Sequence, residues 1–364
     1  MAIPSSVECL SDYEIESRAL LGEEIWGHIQ EGAGAELTLR QNTRAFERLG
    51  FLPRAFQDLR TGNTEATLFG HRHRAPFLLA PIAYQRLAHA EGELASVRAA
   101  AALGAGFIAS TLSSVTIEEI AVAARDASQE TGQSSMPLWF QLYLQPDPED
   151  SLTLVKRAED AGYQAIVLTI DAAVKLSGIA LPSGVDAVNL KDMVRLRQTS
   201  VANGAILFNT PLADASPRWS DLAALRRATR LPILIKGMVL GEDARRAVDE
   251  GTDGLILSNH GGRVLDGLPS PLDLLAEVIA AAGSECPVLI DGGIRRGSDV
   301  VKAVAMGAAA VLLGRPYIHG LAVAGMVGVA HVIHMLRSEM EIAMAQLGCP
   351  TLADLTPQRL RPLP

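Results

Sequence analysis

The stretch VLIDGGIRRGSDVVKAVAMGAAAVLLGRP, residues 288–316, contains two short apolar runs separated by one amphipathic segment. The runs VLID and AVLLG lack polar alternation, which predicts strands buried on both faces. The segment Ser298–Met306 between them predicts a helix that begins near a serine. Strand, helix and strand in this order are typical of a parallel sheet covered by helices.

The same unit recurs along most of the chain. The predicted strands are Pro76–Pro81, Gly106–Ser110, Leu138–Tyr143, Ala165–Ile170, Ile233–Lys236, Gly254–Ser258, Val288–Asp291 and Ala310–Gly314. Predicted helices between them include Gly92–Leu103, Ile117–Arg125, Glu149–Ala161 and Gly241–Glu250. Because eight strand-helix units favour a closed barrel over an open sheet, we predict an α/β fold, a (β/α)8 TIM barrel, as a single domain over residues 1–364.

Three regions fall outside the repeat. Residues 1–75 predict helices and a hairpin around Gly62–Arg74, together a cap over one barrel end. Residues 172–216, after strand four, are rich in Gly, Pro, Ser and Asn and too long for an ordinary connection, so we predict a lid insertion within a barrel spanning 76–346. A disordered insert is the alternative, and residues 347–364 form a C-terminal tail.

Composition excludes several classes of protein. Of 364 residues, 48% are hydrophobic and 20% charged, which excludes an intrinsically disordered chain. A net charge of −9 without basic runs argues against nucleic-acid partners. Three widely spaced cysteines suggest a reducing compartment, and residues 1–20 are acidic without an apolar core, so we expect a cytoplasmic protein without a secretory signal.

One apolar stretch has the length of a membrane helix. Tyr317–Leu336 contains no Lys, Arg, Asp or Glu. Arg315 and Pro316 interrupt the apolar region at its start, and Gly, Ala and His residues lie within it. We therefore predict a buried strand and helix here, with a membrane span as the alternative.

Polar residues follow nearly every predicted strand. In TIM barrels the working residues lie at the carboxyl ends of the strands, where the strand-to-helix loops open on one face. The strand-end residues here are Gln141, Tyr143, Thr169, Asp171, Lys236, Ser258, Asn259, His260, Asp291, Gly314 and Arg315. So many polar groups at strand ends predict a functional site on that face.

The ends of strands seven and eight predict a phosphate site. DGGIRRGSD and GRP combine glycine-rich backbone with Arg295 and Arg315 near helix starts, which suits a phosphorylated ligand. Asp291 could accept a hydrogen bond from a sugar-like hydroxyl. Turn geometry alone is the alternative for the glycines.

The segment SNHGGRVLD, residues 258–266, predicts acid-base chemistry. His260 is a base on a glycine-rich loop, and Arg263 could bind an anionic group beside the proton that His260 removes. Asp171 could orient the imidazole. Lys236 ends an apolar run, so it faces either an electron-rich cofactor or a barrel carboxylate. His331 and His334 share a helix face without a third ligand, so no metal site is expected.

Taken together, these motifs resemble those of the FMN-dependent 2-hydroxy-acid oxidase and dehydrogenase family, which includes glycolate, lactate and mandelate-oxidising enzymes. The matching segments are QNTRAFERL (41–49), APIAYQRLAHAEGE (80–93), STLSS (110–114), WFQLY (139–143), LTID (168–171), LIKG (234–237), SNHGGRVLDG (258–267), DGGIRRG (291–297) and LLGRP (312–316). The stretch APIAYQRL is most similar to the 4-hydroxymandelate oxidase branch.

The resemblance implies FMN on the carboxyl face of the barrel. The implied FMN contacts are Ile82, Ala83, Ser110, Gln141, Thr169, Lys236, Ser258, Asp291, Gly293, Arg295, Gly314 and Arg315. His260 would take a proton from the substrate as two electrons pass to FMN, giving a 2-oxo acid. Arg263 would bind the substrate carboxylate and Tyr143 the substrate oxygen, with Asp171 and Lys236 completing the catalytic set.

Two departures from the family pattern concern the substrate. IWGHIQEGAG places His28 where the family has a carboxylate-binding Tyr, and AAVKLSGIALPSG after LTID lacks the usual second substrate Arg. Losing both contacts should weaken binding of a small hydroxy acid, since each charge-assisted bond contributes about 1.5–3 kcal/mol. We therefore expect a larger or atypical substrate, read partly by His28, Lys175 or a lid residue.

The sequence alone leaves two other functions open. An FMN-binding barrel without turnover would keep the phosphate site, and an FMN-dependent isomerase would need no electron acceptor. Within the family, oxidase, dehydrogenase and oxidative-decarboxylating outcomes stay open, so oxygen or another acceptor is the expected partner. The family also implies a homo-oligomer, expected to be a homotetramer.

Overall fold

The computed structural model describes residues 2–132, 136–172, 180–193, 208, 210, 213 and 215–364. Eight parallel strands form a closed barrel, in which each strand pairs with the next along the chain and the last pairs with the first. They are β4 (Phe77–Leu79), β5 (Gly106–Ser110), β6 (Leu138–Leu142), β7 (Ala165–Thr169), β8 (Ile233–Met238), β9 (Gly254–Leu257), β10 (Val288–Ile290) and β11 (Ala310–Leu313). The predicted (β/α)8 barrel is confirmed.

Helices form the outer layer of the barrel. They are α4 (Glu93–Leu103), α5 (Ile117–Glu130), α6 (Pro148–Ala161), α7 (Trp219–Ala228), α8 (Gly241–Asp249), α9 (Pro271–Ala282), α10 (Gly297–Ala305) and α11 (Arg315–Leu347). Capping explains several of their ends. The α6 helix begins after Asp147, whose carboxylate accepts the Glu149 amide, and ends at Gly162 with φ 92°.

Strand β8 is longer than predicted. It extends two residues beyond the predicted end at Lys236, and its pairing with β9 shifts register between Lys236 and Met238. Gly237 at this bulge has φ 104°, a conformation that glycine adopts without strain. The predicted strand ends at Lys236 because a glycine weakens a strand, although it can also mark a bulge, as it does here.

Side chains fill the barrel and the layer around it. One cluster of buried residues, including Leu78, Ile108, Trp139, Val167, Leu234, Ile256, Leu289 and Leu312, lies inside the barrel. A larger cluster joins the other faces of the strands to the helices. Because both strand faces are buried, the strands read as continuous apolar runs.

The first 75 residues contact both ends of the barrel, not the one end expected from the sequence. Helices α1 (Leu10–Leu20), α2 (Glu23–Gln30) and α3 (Leu37–Glu47) precede strand β1 (Leu49–Phe51). The hairpin of β2 (Ala66–Leu68) and β3 (His71–His73) lies at the amino ends of the barrel strands, where the Phe69 ring packs 5.6 Å from Trp139. The segment before α3 instead meets the carboxyl face, where the Ala33 amide donates to the Gly262 carbonyl at 2.8 Å.

The C-terminal segment pairs with the N-terminal one. Helix α11 ends at Leu347, and strand β12 (Leu360–Pro362) then forms an antiparallel ladder with β1, Gly50 opposite Arg361. The predicted tail is therefore tied to the cap through a second small sheet.

Only part of the predicted lid is described. A 3-10 turn at Val188–Leu190 is held by Asn189, whose side chain accepts the Ile117 amide at 3.0 Å and the Arg157 guanidinium at 3.3 Å. Asn189 is buried. This portion of the insertion is thus fixed against α5 and α6, and the lid role stays a prediction.

The apolar stretch near the C-terminus is helix α11. By length and composition it could cross a membrane, yet 67% of its most apolar window is buried inside the protein. It packs against α1, α4 and α10 and departs from helical geometry at Ala324 and Gly325. Burial within the fold accounts for its composition.

Candidate active site

A cavity of about 1020 Å³ opens at the carboxyl ends of the barrel strands. The predicted site residues that line it are His28, Ile82, Ala83, Ser110, Gln141, Tyr143, Thr169, Lys236, His260, Arg263, Asp291, Gly293, Arg295, Gly314 and Arg315. Asp171 and Ser258 lie behind this surface and contact residues that line it. The fold thus brings nearly all strand-end candidates to one place.

His260 and Asp171 form the central pair. The imidazole Nδ1 lies 2.9 Å from Asp171 Oδ1. Burial alone raises the pKa of Asp171, but the charges of Lys236 and His260 and the hydrogen bond to His260 outweigh it, so the net pKa is lowered. The carboxylate is therefore ionised and accepts a hydrogen bond from Nδ1–H, so that Nε2 is the proton-accepting nitrogen of the neutral ring.

The loop that carries His260 has an unusual backbone. His260, Gly261 and Gly262 have φ values of 57°, 61° and 77° in succession. A non-glycine residue in this region costs free energy and persists only when its surroundings hold it. The His260 amide donates to Ser258 Oγ at 3.0 Å, which is one of the contacts that fix the loop.

Lys236 is buried at the base of the cavity with 4% of its surface exposed. Its ammonium lies 2.9 Å from Asp291 Oδ2 and donates to Ser258 Oγ at 2.8 Å. Burial lowers the pKa of Lys236. The negative charges of Asp291 and Asp171 raise that pKa by more than burial lowers it, so the net pKa is raised. Lys236 therefore pairs with a barrel carboxylate, one of the two expected arrangements. It also lines the cavity, and its contact with a cofactor stays a prediction.

Ser258 lies behind Lys236 at the base of the cavity. It is fully buried and does not line the cavity. Its hydroxyl oxygen accepts hydrogen bonds from Lys236 and from the His260 amide. The contact with FMN that the resemblance implies for Ser258 stays a prediction.

Among the residues that the structure describes, three polar atoms at the cavity are buried without a hydrogen-bond partner. They are Gln141 Nε2, Thr169 Oγ1 and Asp291 Oδ1. The other Gln141 atom, Oε1, accepts from Ser110 Oγ at 3.2 Å, so the amide nitrogen remains available. An unpaired buried donor or acceptor costs about 1–3 kcal/mol. A polar ring system and a hydroxylated chain, as in FMN, would satisfy these atoms.

An arginine cluster forms one end of the cavity. Within the described residues, the guanidinium groups of Arg263, Arg295 and Arg315 donate to backbone carbonyl oxygens. Burial lowers the pKa of all three, and burial together with the charges of Arg295 and Arg263 lowers that of Arg315 to about 9. Positive charge gathered in this way suits an anion such as the FMN phosphate.

Backbone geometry adds to this anion site. Gly292 and Gly293 have φ values of 89° and 85° and line the cavity beside Arg295. Helix α11 begins at Arg315, so its free amide groups lie at the same end. The residues present therefore fit FMN at both its phosphate and its ring.

Arg263 has donors left for a substrate. Its Nη1 donates to the carbonyl oxygens of Ile29 at 2.9 Å and Glu31 at 3.2 Å, and its Nη2 to that of His28 at 2.5 Å. These bonds use three of the five N–H groups of a guanidinium. Nε–H and one Nη2–H make no contact within the described part of the chain. They share the edge that binds a carboxylate in a bidentate manner.

Tyr143 lines the cavity near Arg263 and Asp171. Burial and the Asp171 charge raise the pKa of Tyr143, while Arg263 lowers it less strongly. The phenol therefore keeps its proton and can donate a hydrogen bond to a substrate oxygen. His28 also lines the cavity, and its backbone carbonyl holds Arg263.

Sequence reasoning missed several apolar residues of the cavity wall. Leu181, Val185, Ala187 and Leu190 come from the lid region, and Tyr84, Leu112 and Leu144 follow barrel strands. Tyr84 and Leu112 lie within the matching segments 80–93 and 110–114 but were given no role there. No motif marks the other five, and only their positions after strand ends could have suggested them. Lys175, the other proposed lid contact, lies outside the described residues.

Among the residues that the structure describes, no group of three or more His, Cys, Asp or Glu side chains could hold a metal ion. His331 instead lies 2.9 Å from the Tyr13 hydroxyl through its Nδ1.

Comparison with known proteins agrees with this geometry. A family model described as FMN-dependent dehydrogenase matches residues 17–362. The chain is 43% identical to an L-lactate oxidase of Alicycliphilus denitrificans, over 99% of this chain and 98% of that one. It is 42% identical to a 4-hydroxymandelate oxidase of Amycolatopsis orientalis, over 94% and 95% of the two chains.

The fold also matches a solved structure throughout. A crystal structure of mandelate oxidase with (S)-2-phenylpropionate superimposes with a TM-score of 0.84 at 40% identity, covering 98% of each chain. The family expected from the motifs is confirmed, and with it FMN as the cofactor. The chain belongs to the FMN-dependent dehydrogenase family.

Proposed function

We propose that this protein is an FMN-dependent oxidase that converts a 2-hydroxy acid with a large side chain into the 2-oxo acid. The observation that carries the proposal is the His260–Asp171 pair, 2.9 Å apart, beside Arg263 and Tyr143 on one cavity wall. A base, an anion-binding edge and a hydroxyl donor are the groups that oxidation of a 2-hydroxy acid requires from the protein.

His260 acts as the base. Its Nδ1–H is held by Asp171, so Nε2 takes the proton from the substrate and the ring becomes an imidazolium. The ionised carboxylate of Asp171 stabilises that positive charge. FMN, when bound, would accept the two electrons together with the second hydrogen that the substrate loses as C–OH becomes C=O.

Arg263 and Tyr143 orient the substrate. The unused edge of the Arg263 guanidinium binds the carboxylate, and the Tyr143 hydroxyl donates to a substrate oxygen. Fixing both ends of the C1–C2 unit brings the substrate to the His260 ring. Lys236, kept charged by Asp291, contributes positive charge at the base of the cavity.

The preference for a large side chain rests on the cavity wall. Leu181, Val185 and Leu190 line the cavity from the lid region. Apolar surface of this kind favours a bulky apolar substituent, by about 0.8 kcal/mol for each methylene group buried. The relatives carry names of both lactate and hydroxymandelate oxidases, so their names do not discriminate between small and large substrates.

The two changed positions support the same proposal. His28 replaces an expected Tyr at the cavity, and Ala172 follows Asp171 where the family pattern continues toward a second Arg. A small acid depends on polar contacts alone, whereas a larger acid adds apolar contacts that offset the lost ones.

Nothing in the comparisons supports a barrel without redox activity, and the relatives quoted above are named as oxidases. We therefore take oxygen as the electron acceptor. The homotetramer and the cytoplasmic location stay predictions.

Anaerobic mixing of the purified flavoprotein with a panel of 2-hydroxy acids tests the proposal. We expect flavin bleaching with mandelate, 4-hydroxymandelate and long-chain aliphatic acids, with kcat/KM at least about tenfold above that of lactate or glycolate. Equal or higher kcat/KM for lactate would contradict the size preference. Bleaching by none of the acids would contradict the oxidase function itself.

A further inference from the structure

Two buried asparagines join the N-terminal cap to the loop of His260. Asn42 on helix α3 donates through Nδ2 to Asn259 Oδ1 at 2.9 Å, and Asn259 donates through Nδ2 to Asn42 Oδ1 at 2.8 Å. Each residue is 1% exposed. The pair therefore exchanges two hydrogen bonds away from water, where an unpaired amide is costly.

Asn259 directly precedes His260 and organises its loop. Its Oδ1 also accepts the Gly262 amide at 3.1 Å, and its Nδ2 also donates to the Pro269 carbonyl at 3.1 Å. These bonds span the three residues with positive φ, His260 to Gly262. Because His260 would relax from this conformation without support, the Asn259 side chain is well placed to maintain it.

Asn42 also packs against the glycine turn at Gly292 and Gly293. A Cβ on Gly293 would lie 2.2 Å from the Asn42 carbonyl oxygen, and one on Gly292 would lie 3.1 Å from Asn42 Nδ2. The backbone of α3 thus packs directly on the glycine turn of the anion site. Asn42 therefore has little freedom to shift, and it links that turn to the His260 loop.

We propose that Asn42 is a positioning residue for His260, acting through Asn259. This inference rests on the proposed function, in which His260 is the base. The amide pair holds the loop in its left-handed conformation, and that conformation places the imidazole against Asp171. Asn42 touches neither substrate nor cofactor in this role.

The test compares Asn42→Ala with Thr38→Val. Thr38 lies one turn earlier on the same helix, is equally buried, and exchanges hydrogen bonds with Leu268 at 2.9 and 3.2 Å. Thr38→Val therefore removes a matched pair of bonds between α3 and the same loop without touching Asn259. Thermal unfolding and flavin absorbance first establish that each variant is folded and carries FMN.

Rapid anaerobic mixing with the best acid then gives the flavin reduction rate and the substrate Kd separately. We expect Asn42→Ala to lower the reduction rate roughly 10- to 100-fold with Kd changed less than about threefold, since small misplacement of a catalytic group costs this much. Thr38→Val should leave the rate within about threefold of the unmodified protein. Equal losses in both variants, or none in Asn42→Ala, would overturn the inference.

Asn42→Asp supplies a second and independent readout. A protonated carboxyl can donate to Asn259 Oδ1 as the amide does, whereas an ionised one repels it. The reduction rate of Asn42→Asp relative to the unmodified protein should therefore rise at least about threefold as pH falls from 8 to 6. A constant ratio at a lowered rate would indicate a structural role and would overturn the inference.

A double-mutant comparison tests whether Asn42 acts through Asn259. In an Asn259→Ala background, Asn42→Ala should lower the reduction rate less than about twofold further, because the pair is already broken. Independent, multiplicative effects would contradict action through Asn259. If the unmodified protein itself is reduced by no acid, the proposed function fails, and that result is distinct from a failure of the Asn42 inference.

Discussion

Gly237 leaves room for Asp171. A Cβ built on Gly237 would lie 2.5 Å from Asp171 Cγ and 2.8 Å from Oδ2, closer than non-bonded atoms approach. The bulge in β8 therefore creates the space in which the carboxylate reaches His260. Strand irregularity here serves the geometry of the active site.

Gly237→Ala should consequently lower activity as well as stability. The added methyl group displaces Asp171, so we expect kcat to fall at least about tenfold. Gly251→Ala is the matched control, because Gly251 also has positive φ but no atom within 4 Å of its built Cβ. Both variants should lose about 1–3 kcal/mol of unfolding free energy. Equal kcat values in the two variants would argue against the spatial role of Gly237.

Asp171→Asn removes the charge and keeps the size of the side chain. Without the carboxylate the imidazolium at His260 loses its stabilising partner, so flavin reduction should slow by about 10²- to 10⁴-fold. Rapid anaerobic mixing measures that rate. Flavin content should remain unchanged, since Asp171 does not line the cavity. A rate within threefold of the original would refute the assignment.

Arg263→Lys should weaken substrate binding. Lysine cannot offer the bidentate edge of a guanidinium, and the loss of about 1.5–3 kcal/mol corresponds to a KM increase of about 10- to 150-fold. The methyl ester of the same acid is the control, because it lacks the carboxylate. The kcat/KM of the ester should change much less in the variant than that of the free acid. Equal losses of kcat/KM for the acid and the ester would indicate that the variant disturbs only the contacts of Arg263 with the N-terminal cap.

Arg295→Ala and Arg315→Ala should each weaken FMN binding by about 10- to 150-fold, since each guanidinium lies at the anion site. Fluorescence titration of the flavin-free protein measures the affinity. Riboflavin, which has no phosphate, should bind the variants and the original protein equally well. Arg296→Ala, at an exposed neighbouring position, serves as the control. Equal losses for FMN and riboflavin would contradict a phosphate site.

His73 makes stability depend on pH. Burial and the nearby His71 lower the pKa of His73 from 6.5 to about 4, and neither ring nitrogen has a hydrogen-bond partner in the described part of the chain. As the pH falls, His73 binds a proton in the unfolded chain before it does so in the folded protein. The contribution of His73 to stability is therefore complete above pH 6.5 and declines as pH falls toward 4. Between pH 7.5 and 5 the loss is about 2 kcal/mol.

His73→Phe should remove that dependence. The phenyl ring preserves packing on Trp139 and leaves no buried nitrogen. Urea unfolding at pH 7.5 and 5 should show a pH-dependent loss about 2 kcal/mol smaller in the variant. An unchanged difference between the two pH values would mean that other groups dominate acid destabilisation.

The barrel and the strand-end residues could be predicted because both depend on local sequence. Uninterrupted apolar runs such as Val288–Ile290 mark strands buried on both faces, and the residue that follows a strand must lie on the carboxyl face. His260, Asp171 and Arg263 were therefore predicted together.

Contacts between distant segments could not be predicted in this way. The Asn42–Asn259 pair joins positions that no periodicity relates, and either amide alone is typical of a turn or a cap. The same holds for Ser258, whose place behind Lys236 depends on side-chain packing. The hairpin at His71–His73 lies at the other barrel end because Leu68 and Phe69 cover the barrel interior there.

The pairing of β1 with β12 has a consequence for how the protein folds. The two strands lie near opposite ends of the sequence, so closing that ladder requires the intervening chain to be compact already. Helix α3, which carries Asn42, leads directly into β1. We therefore expect the barrel to assemble from local units first, and the cap to dock and the catalytic loop to be completed only on a correctly formed barrel.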